Sequence, residues 1–135
     1  MANALYDKGR EGFLDGSIDF DTNNIKIMLI DEADDTIDLA VDEDLADRAG
    51  ASRVATSGNL ASKTVTAGVA DAADVTFSAV TGDVSESIDM YQDTGTEATS
   101  RLILNIDTAT GLPVTPNGGD ITVTWDSGSN RIFKL

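Results

Sequence analysis

Cysteine and histidine are both absent from this chain of 135 residues. Without cysteine there are no disulfides and no thiolate metal sites. Without histidine the usual general base, the usual metal ligand and every Ser-His or Cys-His nucleophile pair are excluded. Zinc sites built from those two residue types are excluded with them. Neither a G-x-x-x-x-G-K-[ST] nor a G-x-G-x-x-G string occurs, so phosphate cradles and dinucleotide fingerprints are not expected. Aromatic residues are sparse, with one Trp, two Tyr and four Phe, too few for the platforms on which a carboxylate glycosidase stacks its sugars. Long apolar runs are also missing; the longest, Ile27-Met28-Leu29-Ile30, falls far short of the ~20 residues a membrane helix needs. The opening Met1-Ala2-Asn3-Ala4-Leu5-Tyr6-Asp7-Lys8-Gly9-Arg10 holds no apolar core of the kind a secretory signal requires, so neither secretion nor a membrane is expected.

What remains is enough for a folded domain. Hydrophobic residues make up 41% of the chain, and a chain of this length buries roughly 65–70% of its unfolded surface. A single structural domain over 1–135 is expected, with an N-terminal helix over about 3–16 and a β-domain over about 18–135.

Charge is the conspicuous excess. Twenty-four acidic residues against nine basic ones give a formal −15, which argues against direct nucleic-acid binding because phosphate would be repelled over most of the surface. The excess is local. Asp19, Asp21, Asp31, Glu32, Asp34, Asp35, Asp38, Asp42, Glu43, Asp44 and Asp47 are eleven acids faced by one base, Lys26, giving −10 within residues 19–47.

Periodicity then separates helix from strand. Leu5, Gly9, Gly12, Phe13 and Gly16 fall on one face of a 3.6-residue repeat, with Asn3 placed to N-cap and Gly16 to end the helix. The glycines cost propensity, about 1 kcal/mol each against alanine, so close packing on the chain's own sheet, or else on a neighbouring subunit, is expected to offset them. After Gly16 the period falls to two. Strands are expected over 25–30, 75–79, 102–106 and 121–125, and more weakly over 53–56, 63–67, 87–91 and 131–135. Residues 44–48 could form a short second helix ended near Gly50. Asp126-Ser127-Gly128-Ser129-Asn130 reads as the turn of a final hairpin, and Pro116-Asn117-Gly118-Gly119 and Thr110-Gly111-Leu112-Pro113 as further turns. The pattern predicts a mainly β fold, an antiparallel β-sandwich or partly closed barrel with one N-terminal helix.

Carboxylates are the remaining chemistry. Asp31-Glu32-Ala33-Asp34-Asp35 follows a strand directly, where a loop could gather oxygens around calcium, but the EF-hand pattern is absent. Asp15, Asp19 and Asp21 have useful spacing, although Ile18 and Phe20 between them read as strand positions. A solvated acidic loop is the simpler expectation for both segments. Lys8 and Arg10 could meet an acidic partner, or simply face water. Residues 131–135 could be a protected edge strand, or one docked on a neighbour. No catalytic, cofactor-binding or metal residue is assigned.

The string Ala4-Leu5-Tyr6-Asp7-Lys8-Gly9-Arg10-Glu11-Gly12-Phe13-Leu14-Asp15-Gly16, followed by Asn24-Ile25-Lys26-Ile27-Met28-Leu29-Ile30-Asp31, resembles a family of small virion proteins of tailed bacteriophages. So do Gly68-Val69-Ala70-Asp71-Ala72-Ala73-Asp74-Val75-Thr76-Phe77 and Gly111-Leu112-Pro113-Val114-Thr115-Pro116-Asn117-Gly118-Gly119-Asp120-Ile121-Thr122-Val123-Thr124-Trp125. The resemblance spans nearly the whole chain and is weakest over 34–51. It implies a non-enzymatic structural protein located in the virion and assembled in the host cytoplasm. A capsid decoration (cement) protein is the leading expectation, bound to the major capsid protein and to copies of itself as a homotrimer, with the acidic region facing solvent. A tail or tail-tip protein partnered by other tail proteins is the alternative. A calcium- or glycan-binding module is the reading from a different class.

Overall fold

The strand Ile25–Ile30 (β2) shows why this chain builds around a sheet with two covered faces. Ile25, Ile27 and Leu29 join one buried cluster, while Met28 and Ile30 join a second on the opposite side. The computed structural model describes residues 3–135. In it β2 lies inside a five-stranded antiparallel sheet with Ala4–Leu5 (β1), Arg53–Thr56 (β3), Ser87–Gln92 (β7) and Leu102–Ile106 (β8), in the order β1-β8-β7-β2-β3. The register places Ile27 opposite Met90, Met28 opposite Asp89 and Leu29 opposite Ile88.

Two smaller antiparallel sheets cover the first face. One is Phe133–Lys134 (β10), Val69–Asp71 (β5) and Thr64–Thr66 (β4); the other pairs Val75–Phe77 (β6) with Ile121–Val123 (β9). They deliver Ala70, Phe77 and Phe133 to the first cluster, beside Ile18, Phe20 and Leu60. The Phe133 ring lies 5.7 Å from Phe13 and 5.6 Å, edge-on, from Phe20. The result is a mainly β, sandwich-like fold with one helix; among the described residues no barrel closes.

The helix, Asp7–Asp15 (α1), ends as expected at Gly16 with a left-handed φ of 81°. Its start differs from expectation. Tyr6 is the N-cap, in extended conformation, and the preceding Ala4–Leu5 pair is strand β1, opposite Asn105 and Leu104. Asn3 does not cap the helix. Its Oδ1 accepts the backbone N–H groups of Asp107 and Thr108, and its Nδ2 donates to the Thr108 carbonyl. Edge pairing gives the backbone groups of Ala4 and Leu5 partners on β8. The glycine face packs on the chain's own sheet. A Cβ on Gly9 would sit 2.7 Å from the Ile103 carbonyl oxygen and 2.9 Å from that of Leu102.

Other expectations shift with tertiary pairing. The segment 126–130 does not close a hairpin of the last two strands: β9 pairs with β6 and β10 with β5. Arg131, at φ 41°, turns the chain towards the three-stranded sheet and there binds Asp71 at 2.9 Å. The strand expected over 75–79 stops at Phe77, ahead of Ala79 at φ 49°. The one expected over 121–125 stops at Val123, and half-buried Trp125 donates its backbone N–H to Asp74 and its indole N–H to the Ala73 carbonyl. Residues 44–48 form a 3-10 turn, Leu45–Asp47, rather than a second helix, and another such turn follows at Gly50–Ser52. Strand β5, unmarked in the sequence, forms a hairpin with β4 through Ala67 and Gly68, both left-handed at 53° and 78°. The weakly marked 87–91 proves to be a central strand, with Ser87, Ile88, Asp89, Met90 and Tyr91 all enclosed.

Gly9→Ala is expected to lower the free energy of unfolding by about 1–3 kcal/mol, because a backbone carbonyl cannot retreat from the added methyl as a flexible side chain could. Gly50→Ala, which meets nothing within 4 Å, is the control and should be close to neutral in urea titrations.

Candidate functional site

The second face of the large sheet is covered by residues 31–52, which hold most of the acidic excess. This segment contains the most deeply buried cation in the molecule. The 3-10 turn Leu45–Asp47 is fixed by its own acids, since Asp44 Oδ1 accepts the Ala46 N–H and Asp47 Oδ2 accepts the N–H groups of Glu43 and Asp44. Arg48 leaves the end of this turn and points inward, its side chain fully enclosed.

Three carboxylates receive it. Arg48 Nη1 donates to Asp35 Oδ2 at 3.1 Å, Nη2 donates to Asp42, and Nε lies 3.2 Å from Asp89 Oδ2. The guanidinium carbon stands 6.0 Å from the centroid of the Tyr6 ring. Asp89 comes from β7, in the middle of the sheet. Its Oδ1 accepts the Tyr6 hydroxyl at 2.7 Å and an Asn105 Nδ2–H at 2.9 Å; the same amide donates to Ser87 Oγ. Arg48 Nε and Asp89 Oδ2 face each other without a well-aligned hydrogen bond.

The electrostatics follow from burial. Asp35 and Asp42 keep 16% and 14% of their side chains exposed, whereas Asp89 has none. Loss of hydration pushes Asp89 up to about 6, against the opposing pull of Asn105, Tyr6 and Arg48. Burial also raises the Tyr6 hydroxyl, and the adjoining Asp89 raises it further. A second arginine ties the segment down. Arg53 grips Glu97 through both terminal nitrogens, at 2.6 and 3.2 Å, and donates to the carbonyls of Leu45 and Arg48.

The acidic region is therefore not the uniformly solvated surface expected from its composition. Asp35 and Asp42 hold a buried cation, while Asp38, Asp44 and Asp47 accept backbone N–H groups. The candidate calcium loop is split: Asp35 turns to Arg48, and Asp31 and Asp34 meet Asp83, with one carboxylate oxygen from each within 4.8 Å of the others. Among the described residues no other group of three acids forms; the Asp19 and Asp21 carboxyls share a hydrogen bond, and Asp15 does not join them. Asp15 accepts the Ser17 N–H instead, and Ile18 and Phe20 are core. Lys8 pairs with Glu11 and Glu43, and Arg10 with Asp7, within the chain itself.

Arg48 and the groups that answer it line none of the open clefts described. One of about 530 Å³ joins an apolar lining of Phe13, Ile18, Phe20, Val65, Phe133 and Leu135 to the acids Asp19 and Asp21. Val65 and Leu135 are 51% and 60% exposed. The Arg48 cluster is thus a closed, internal arrangement: it positions the 31–52 segment on the sheet, and its charged groups face one another.

No protein-family model matches the chain, and no curated protein is found to be a relative of it.

Asp89 supplies a pH test. Its folded-state pKa is raised, so its contribution to stability is full below the unfolded value near 3.8 and is lost as the pH rises through about 6. Asp89→Asn removes that dependence. Unfolding titrations at pH 4, 5.5 and 7 should show the variant gaining on the parent protein with pH, by roughly 3 kcal/mol in all. A difference that shrinks with pH would mean that Arg48 holds Asp89 ionised. Calcium should leave the melting temperature unchanged; a rise would make a cation site of Asp31, Asp34 and Asp83.

Proposed function

We propose that this chain is a non-enzymatic structural protein of a tailed-bacteriophage particle, and within it a capsid decoration protein. It would stabilise the head shell through non-covalent contacts with the major capsid protein and with copies of itself, as a homotrimer. Two independent kinds of support meet here. The sequence strings over residues 4–31, 68–77 and 111–125 resemble small virion proteins. The fold is divided into three separate sheets, each ending in strands that pair on one side only.

The open edges are the observation that carries the reading. A two-stranded sheet is marginal alone, and an unpaired edge is a template for a strand from another chain. β4 is such an edge, all three of its residues are exposed, and Val65 stands at its centre. An apolar side chain on an open edge suits assembly better than solitary life in solution.

Purified protein is expected to co-sediment with expanded, DNA-filled heads and to run as a trimer in analytical ultracentrifugation. Val65→Lys places a charge on the edge at a half-exposed position outside the buried cluster, and should weaken head binding while leaving the melting temperature nearly intact. Association with tails and not with heads would overturn the decoration reading in favour of a tail component.

A further inference from the structure

The chain leaves the large sheet after β2 and returns to it at β3, and the two ends of the intervening segment are pinned together. The Asp31 N–H donates to the Ser52 carbonyl at 2.8 Å, making a closed neck. Beyond that neck the segment holds two 3-10 turns and no strand. Its apolar contribution to the second cluster is Ile37, Leu39 and Leu45. The rest of its attachment is polar. Leu45 N–H donates to Ser100, Leu102 N–H to Glu43 and Asp7 N–H to Leu39, and Arg48 and Arg53 add their ionic contacts.

The surface beneath is of the opposite character. Tyr6, Met28, Ile30, Tyr91 and Leu102 are at most 3% exposed under the segment. Apart from the Leu102 N–H at the start of β8, the strands beneath take their ladder hydrogen bonds from one another. β2 is paired along its length with β7, and the first cluster covers its other face.

We propose that residues 31–52 act as a lid, opening as one unit about the Asp31–Ser52 neck while the sheet stays folded. Regions with few buried apolar contacts open at lower free energy than the whole molecule. The Arg48 cluster adds to this asymmetry. Asp35 and Asp42 travel with Arg48, so opening breaks only its contact with Asp89, and the hydration that both groups recover offsets much of that attraction. The cluster therefore sets where the lid closes more than how tightly it is held. An open lid exposes an apolar face framed by Tyr6 and Tyr91, distinct from the strand edges invoked for assembly; the inference does not rest on that reading.

Native-state hydrogen exchange on the full chain, across urea concentrations below the unfolding transition, tests this. The amides of Leu45, Asp47, Arg48 and Leu102 should exchange through an opening with a shallow urea dependence, well ahead of the β2 and β7 amides. Ile27→Val, in the first cluster, weakens the sheet equally whether the lid is closed or open. It should speed β2 and β7 exchange roughly fivefold and leave the lid amides unchanged. If lid and sheet amides follow one urea dependence, or the substitution speeds both sets equally, the segment opens only with the whole fold and the inference fails. The exchange pattern of the unsubstituted protein decides the matter even if the variant does not fold.

Discussion

One buried guanidinium organises the acidic half of this molecule. Arg48 is enclosed on every side, and an arginine so placed must have its charge answered. Asp35 and Asp42 answer it from the covering segment, and Asp89 from the middle of the sheet. Those three positions tie an irregular stretch of chain to a regular one. Tyr6 links them onward to the start of the helix through its hydroxyl on Asp89. Removing the cation would leave a carboxylate in the sheet interior with no counter-charge, a loss of about 3–5 kcal/mol in comparable buried pairs.

The same interaction explains the composition of the second face. Met28, Asp89 and Asn105 occupy one row across β2, β7 and β8. A polar pair at the centre of such a row would be costly unless satisfied. Tyr6 and Ser87 provide hydrogen bonds and Arg48 a counter-charge, while Asn105 Oδ1 meets no partner among the described residues; the apolar residues around them exclude water. On the first face the requirement is met differently, by aliphatic and aromatic packing alone. The sheet thus has one face fixed by shape and one fixed by charge.

Much of the architecture was legible in the sequence. Alternation in 25–30 and 102–106 marked two strands of the large sheet to the residue, and Gly16 marked the end of the helix. What escaped depends on contacts distant in sequence. The β9–β6 pairing is fixed by Phe77, Ile121 and the Thr76–Thr122 hydroxyl contact, none of which is visible from a turn motif at 126–130. Ala4 and Leu5 carry no strand signal of their own and become β1 because β8 offers an edge. The buried cluster was missed for a simpler reason: the acidic run was bounded at Asp47, one residue short of its cation. Asp89 was hidden by alternation itself, since an acid between Ile88 and Met90 reads as the solvent side of a half-covered strand. A lone acid in one apolar strand and a lone amide, Asn105, in another were the available signal.

The close approach of α1 to β8 has a mechanical consequence. With Gly9 against the carbonyls of Ile103 and Leu102, no side chain lies between helix and strand to act as a compliant layer. β1 is joined to the same strand, and Asn3 clamps the chain just beyond it. Helix, first strand and β8 are therefore one stiff piece. A pull applied near residue 4 would be carried as load into β8 and on to β7.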